Sequence, residues 1–410
     1  MSKKKILLEH FSNLNNYGTA MMGLVTVQRL AEQWGKENVE FYFYPDEYTD
    51  KKLLLSELEP GIQLTEFKNE AKEKWQKASP GLKKKWLKWK SILFNTYSKQ
   101  FDRVISLGGD DFSEYYFKKA VFFDLLEKWR NSFHTKVVLL GQTIGPFYLK
   151  LNRWGIKHLL PRLSVYARDP WTVTYLRQEF GIPVRQMADI ALSDLPLQGD
   201  KCMEAAVLQQ YGLVAKEYVT IIVSGMQSDG YYCRDRALYL RRFNEILQMM
   251  EREPCLKKQK MVLLAHTFPP YGDEVGYIED LLMLLSPELK SKIIVVRARI
   301  LPTRARFILG NSLFVLTGRM HPAVSAFQMG TPAICLSYSV KYKGVIGGSL
   351  RREDLIIEAG EEELWLKGKI VSEVQEKLEY LFANFEKIKS EIREMVKQQQ
   401  KLLGEIWKEL

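Results

Sequence analysis

The chain has 410 residues, 46% hydrophobic and 27% charged, and its 60 Lys and Arg outnumber 49 Asp and Glu for a net charge of +11. That length predicts two domains, with or without a tail, and the composition is that of a soluble globular chain rather than a disordered or membrane-spanning one. The basic balance implies an acidic partner: a phosphorylated substrate, an anionic membrane surface or nucleic acid. Cys202, Cys233, Cys255 and Cys335 have no CxxC spacing and read as reduced thiols of a cytosolic protein. The apolar run in MSKKKILLEHF stops at Glu9, which makes it a first strand rather than a signal peptide.

Lys5 to Glu9 reads as a strand, Asn13 to Gly18 as a loop, Thr19 to Trp34 as an apolar helix and Val39 to Tyr44 as the next strand. A βαβ opening predicts a parallel sheet with helices on both faces. Short apolar runs of the buried-strand kind follow at Arg103–Leu107, Lys136–Gly141 and Val165–Ala167, each leading into a Gly or Asp turn. A second series begins near Tyr218, with strands predicted at Val219–Val223, Met261–Ala265, Ile293–Val296, Leu313–Leu316 and Ala333–Leu336. Ser372 to Leu410 is a long amphipathic helical region. The expected fold class is α/β: a Rossmann-like domain over 1–195, a linker over 196–217, a second Rossmann-like domain over 218–365 and C-terminal helices over 366–410. Two such domains facing a cleft resemble the two-Rossmann architecture of many glycosyltransferases.

Lys68 to Gln100 departs from this alternation. It is dense in lysine and poor in acids, and Lys83 to Lys90 (KKKWLKWK) interleaves Trp with Lys. As a helix, the 81–90 segment suits the headgroup region of an anionic bilayer; equally, its tryptophans suit packing against the domain. No nucleic-acid-binding motif accompanies it, and nucleic acid is not expected as a partner.

The turn after Leu313–Leu316 carries Thr317-Gly318-Arg319-Met320-His321-Pro322. Pro322 suits a first helical position, which places His321 at the N-cap with Arg319 two residues before it. The free N–H groups and positive dipole end of a helix start, joined by a guanidinium and an imidazole, make a candidate anion site with a proton donor in it. The same residues could instead cap the helix and pair with a carboxylate.

The neighbouring strand-end loops bear on that choice. Asn15-Asn16-Tyr17-Gly18-Thr19 follows the first strand and Gly108-Gly109-Asp110-Asp111 a middle one. GQTIGPF (Gly141 to Phe147), Ala167-Arg168-Asp169 with Gly181 after its helix, and the MADIAL turn at Asp189 come next. In the second half Arg319 and His321 are followed by Gly330, Pro332, Tyr338, Lys341 and Gly344. In order and spacing, over roughly residues 5–345, this set resembles the polysaccharide pyruvyl transferase family. Thr19, Asp110 and Thr143 depart from the usual pattern, on the acceptor-facing half.

The resemblance implies transfer of a pyruvyl group from phosphoenolpyruvate, as co-substrate, to two hydroxyls of a sugar, with no redox cofactor and no obligatory metal. A donor bearing a carboxylate and a phosphate needs cationic clamps, and its methylene carbon needs a general acid. His321 is the expected acid and Arg319 the expected clamp, with Lys341, Lys343, Arg168 and Arg234 as further donor ligands. Lys341 and Lys343 also suit a solvated loop, and Arg168 a structural ion pair with Asp169. A helix N-terminus disfavours a charged His, and a bound anion favours it, so His321 is expected to act as an acid once the donor is seated. Asn16, Gly18, Asp110, Asp111 and Gln142 are the expected acceptor residues, although Asp111-Phe112-Ser113-Glu114 also reads as a helix-capping start. His266 and His10 read as core histidines. The acceptor the resemblance implies is a polysaccharide or a lipid-linked glycan, and the expected location is cytoplasmic or peripheral at the inner membrane face. A sugar-nucleotide-dependent transferase of the same shape is the main alternative. It would want an acid in the second half to hold ribose hydroxyls, and Arg319 to Arg352 contains none. A non-catalytic glycan-binding relative is the other.

Overall fold

A computed structural model of the chain describes residues 3–11, 14–45, 49–94, 96–114, 121–270 and 272–410. Asn13 of the predicted first loop lies outside the described residues, and Asp111 to Glu114, read as a helix-capping start, form a bend and turn rather than a helix. The chain forms two compact units, one of Met1–Leu14, Thr19–Ile190 and Leu402–Leu410, the other of Asn15–Gly18 and Ala191–Lys401.

The first unit is built on β1 (Lys4–Glu9), β2 (Val39–Phe43), β3 (Leu64–Glu66), β4 (Arg103–Gly109), β5 (Lys136–Gln142), β6 (Ser164–Ala167) and β7 (Arg185–Gln186). Its parallel sheet has the order β3-β2-β1-β4-β5-β6-β7. Ile6 of β1 stands beside Phe41 on one side and Arg103 on the other. Leu7, Val104, Leu139 and Leu125 lie in its core, covered by the helix Val121–Asn131. Helices on both faces require strands apolar throughout, which is why these runs read so clearly.

The second unit carries β8 (Tyr218–Ile222), β9 (Lys260–Leu264), β10 (Ile293–Val296), β11 (Val315–Thr317), β12 (Ala333–Leu336) and β13 (Ile356–Ile357), in the order β10-β9-β8-β11-β12-β13. Both sheets are of Rossmann type, winding one way from a central strand and then the other.

Three edge strands, β3, β7 and β13, had no counterpart in the predicted elements; at two or three residues they are too short to show a pattern. Residues 196–217 are not a free linker. The helix Lys201–Gln210, capped by Asp200, belongs to the second unit, where Glu204 accepts from Asn311 Nδ2 at 2.8 Å. The C-terminal region is two helices, Lys369–Ala383 and Phe385–Glu409, of which residues 402–410 group with the first unit.

Candidate active site

In the second sheet the winding reverses between β8 and β11, and folds of this type take ligands outside the carboxyl ends of the strands at that reversal. The loops leaving β8, β9, β11 and β12 carry Ser224, His266–Thr267, Thr317–His321 and Ser337–Lys341.

The turn after β11 is pinned from several sides. Thr317 Oγ1 accepts from Arg319 N at 2.9 Å. The Gly318 carbonyl accepts from the Tyr232 hydroxyl at 2.5 Å and the Tyr342 hydroxyl at 2.9 Å. A Cβ on Gly318 would meet the Ser224 Cβ at 2.7 Å, so the close approach requires glycine. The helix then runs Met320–Gln328 with Arg319 as its extended N-cap residue. His321 is therefore not the cap but the second helical residue, and Pro322 the third. Both stay within the first turn, where a missing N–H costs nothing.

Arg319 is anchored by a residue that sequence reasoning did not find. Its Nε donates to Glu274 Oε1 at 2.7 Å and its Nη2 to Thr267 Oγ1 at 2.8 Å. Glu274 is fully buried, and its other carboxylate oxygen accepts from the backbone N–H of His266 at 2.7 Å and of Thr267 at 2.9 Å. Burial, the largest single influence, would lower the Arg319 pKa; the Glu274 charge and hydrogen bond, with Tyr338 and Tyr232, together outweigh it and the net shift is upward. The pair fixes a guanidinium beside the first turn of the helix that bears His321. The only sequence signal for Glu274 was an Asp273-Glu274 helix start after His266-Thr267-Phe268.

His266 is buried, and its Nε2 has no hydrogen-bond partner among the described residues. Its pKa lies well below the ordinary value, through burial first and then its neighbours His321 and Arg319, so the ring stays neutral beside the Arg319 guanidinium. The Asn15–Gly18 segment, part of this same unit, lies along it. Asn16 makes an isolated antiparallel bridge with Thr267, and the Tyr17 ring meets His266 edge-on with centroids 5.1 Å apart. Asn16 Oδ1 accepts from Gly18 N at 3.1 Å. Any Cβ on Gly18 would overlap the His321 ring, so this glycine serves a close approach rather than a turn alone.

Lys341 Nζ donates to the Tyr338 hydroxyl at 2.8 Å, and the Tyr338 ring stands 5.5 Å from those of both Tyr232 and Tyr342. Lys341 thus joins the aromatic group that pins Gly318. Lys343 and Arg234 do not. Lys343 lies 3.4 Å from Glu358 in a half-exposed ion pair, and Arg234 is largely exposed beside Glu362.

The first unit uses its predicted residues differently. Arg168 is 1% exposed, with Nη1 on Asp189 at 2.9 Å and Nε on Thr143 Oγ1 at 2.9 Å. Its carboxylate partner is Asp189 rather than Asp169, because Asp169 is committed as the N-cap of Pro170–Phe180, accepting from Thr172 N at 2.7 Å. Arg168 is a structural member of this unit, and so is Thr143, which also donates to Asp169 at 2.8 Å. Gln142 is fully buried and ties β5 to β4 by donating to the Leu107 carbonyl at 2.8 Å; it is a brace between strands. Glu114 holds the start of the helix Lys150–Leu159, accepting from Leu149 N at 3.0 Å and Asn152 Nδ2 at 2.7 Å. Asp111 Oδ2 lies 2.9 Å from His10 Nδ1, with both side chains more than a third exposed. The Asp110 carbonyl accepts from Ser113 Oγ at 2.7 Å.

Residues 16–340 match the model of a family described as polysaccharide pyruvyl transferase. No curated protein matches the sequence. Among solved structures, the chain is similar to S. aureus MnaA with UDP: 12% identity, 95% of this chain and 90% of that one covered, TM-score 0.57. It is similar to the UDP-GlcNAc 2-epimerase of Neisseria meningitidis bound to UDP-GlcNAc, at 11% identity, 95% and 94% coverage and TM-score 0.57. It is also similar to the sucrose-phosphate synthase of Thermosynechococcus elongatus, at 12% identity, 99% coverage of both chains and TM-score 0.56. At such identities the likeness establishes the fold alone. The family match takes in Gly18, His266, Glu274, Arg319 and His321 and stops just short of Lys341. The chain belongs to the polysaccharide pyruvyl transferase family.

Proposed function

We propose that this protein moves the pyruvyl group of phosphoenolpyruvate onto two hydroxyls of a sugar, in a polysaccharide or a lipid-linked glycan, as a cyclic ketal. The observation that carries the reading is Arg319, locked by buried Glu274 in the turn that opens the His321 helix. A compact donor with two anionic groups suits a fixed guanidinium, a helix N-terminus and Lys341 close together in sequence. His321 gives a proton to the donor methylene, which leaves an oxocarbenium-like carbon. One sugar hydroxyl adds to that carbon, the C–O bond to phosphate breaks, and the second hydroxyl closes the ring. Of the two hydroxyl protons, one restores His321 and the other leaves with phosphate or solvent. Asn16 and Gly18 are the acceptor residues proposed in the second unit. Asp110 and Asp111 are those proposed in the first. His266, held neutral, adds no charge to repel a protonated His321.

Glu274 bears on the sugar-nucleotide alternative. It is an acid in the second unit, as a ribose site would want, but three donors already occupy it. The test is mass spectrometry of candidate glycans incubated with phosphoenolpyruvate, with phosphate release followed alongside. The expected result is a mass gain of one pyruvyl ketal per phosphate released, abolished by His321→Gln. Glycosyl transfer from a sugar nucleotide, or tight glycan binding with no turnover on any acceptor, would overturn the proposal.

A further inference from the structure

The helix Leu82–Phe94 in the first unit turns an apolar stripe to solvent. Leu82, Trp86, Trp89 and Leu93 follow one another at i, i+4, i+7 and i+11, one side of an α-helix. They are 85%, 60%, 41% and 38% exposed. Ser91 on the opposite side and Ile92 on one flank are buried, and Lys88 Nζ is tucked over the rings of Trp75 and Phe123 at 5.4 and 5.1 Å. A helix packed on a protein ordinarily shows water its polar side; this one shows apolar side chains flanked by exposed Lys83, Lys85 and Lys90. Leu82–Phe94 contains no Asp or Glu.

The stripe continues onto a second helix. Trp89 meets Phe123 edge-on at 5.1 Å, Phe123 meets Phe122 at 5.6 Å, and Phe122 meets Trp154 at 6.2 Å. Trp154 lies on Lys150–Leu159, which likewise carries Lys and Arg and no acid, and Tyr148, Leu149 and Leu151 beside it are exposed. A connected chain of rings thus joins two basic helices, each presenting apolar side chains to solvent.

We propose that this face docks on the surface of an anionic phospholipid bilayer. Trp and Leu enter the headgroup boundary, and the flanking lysines are drawn to acidic lipid. Charge complementarity selects this occupant over a second copy of the chain, which would set Lys83, Lys85 and Lys90 against their own kind. No helix among the described residues is long and apolar enough to cross a membrane, so the contact is peripheral. The inference is independent of the donor chemistry proposed for the second unit.

The test is co-sedimentation of the full chain with vesicles of phosphatidylcholine alone and of phosphatidylcholine with phosphatidylglycerol. The expected result is binding to the anionic vesicles only, weakened by salt. Two triple variants, Leu82→Ser with Trp86→Ser and Leu93→Ser, and Lys83→Glu with Lys85→Glu and Lys90→Glu, should each reduce binding at least about tenfold. Circular dichroism and thermal melting establish that they fold. Unchanged binding in either folded variant, or no vesicle binding by the wild type, would overturn the proposal. Self-association or capture of an acidic protein that the stripe variant abolishes, without vesicle binding, would likewise overturn it and assign the face to that partner.

Discussion

Arg319 Nε and Glu274 Oε1 lie 2.7 Å apart across 45 positions of sequence, and the carboxylate of that pair is wholly buried. Removing one partner of a buried ion pair leaves an uncompensated charge at a cost of about 3–5 kcal/mol. Glu274→Gln keeps the shape and removes the charge. It should lower unfolding free energy on that scale, and kcat/KM for pyruvyl transfer by about a hundredfold or more. Urea denaturation and phosphate release check the two effects, and wild-type values in both would show that the pair neither stabilises nor positions.

Gly18→Ala tests the approach of His321 to the Asn15–Gly18 segment. The added methyl would overlap the imidazole, and overpacking of this kind costs about 1–3 kcal/mol. Because the atom displaced belongs to the proposed acid, kcat should fall much further than stability does. A variant that melts lower yet turns over normally would remove His321 from the chemistry.

Two lysines close in sequence should behave differently. Lys341, bonded to Tyr338, joins the ring cluster around the Arg319 turn, whereas Lys343 pairs with Glu358 at the surface. Lys341→Met is expected to raise KM for phosphoenolpyruvate by about tenfold or more, a charge-assisted contact being worth that much, and Lys343→Met to leave it unchanged. Steady-state kinetics at saturating acceptor separates them.

Two histidines should shape the pH dependence of stability in opposite directions. The folded pKa of His266 is depressed by burial and, to a smaller extent, by His321 and Arg319 beside it. Its contribution is full above about pH 6.5, the unfolded value, and is lost as pH falls toward the folded one. His10 is pulled down by desolvation, but Asp111 outweighs this and the net shift is upward. Its contribution is full below about pH 6.5 and is lost as pH rises through the raised folded value. Denaturation midpoints between acid and neutral pH should fall less steeply on the acid side in His266→Gln. His10→Gln should lose its stability difference from wild type as pH rises. Identical pH profiles would refute both assignments.

Much of the fold was legible because buried parallel strands are continuous apolar runs. β10 and β12 fall where the apolar runs put them, and most other long strands shift by one or two residues at an end. What escaped depended on tertiary partners. Edge strands such as β7 are defined by a neighbour rather than by a pattern. Arg168 read as a donor clamp or as a pair with Asp169, because nothing local marks Asp189 as its partner. His321 looked like the cap because Pro322 suits a first helical position, yet Arg319 begins the helix and proline is tolerated throughout the first turn. Glu274, the residue that fixes the guanidinium, showed locally only as a helix start, because a pair 45 positions apart leaves no local pattern.

The most direct measurement is calorimetric titration of phosphoenolpyruvate, and separately of UDP-GlcNAc, into the wild type and Arg319→Met. Phosphoenolpyruvate should bind the wild type and bind Arg319→Met about a hundredfold more weakly, and the sugar nucleotide should bind neither. Tight binding of the sugar nucleotide with none of phosphoenolpyruvate, or equal affinity of both proteins for phosphoenolpyruvate, would contradict the proposed function.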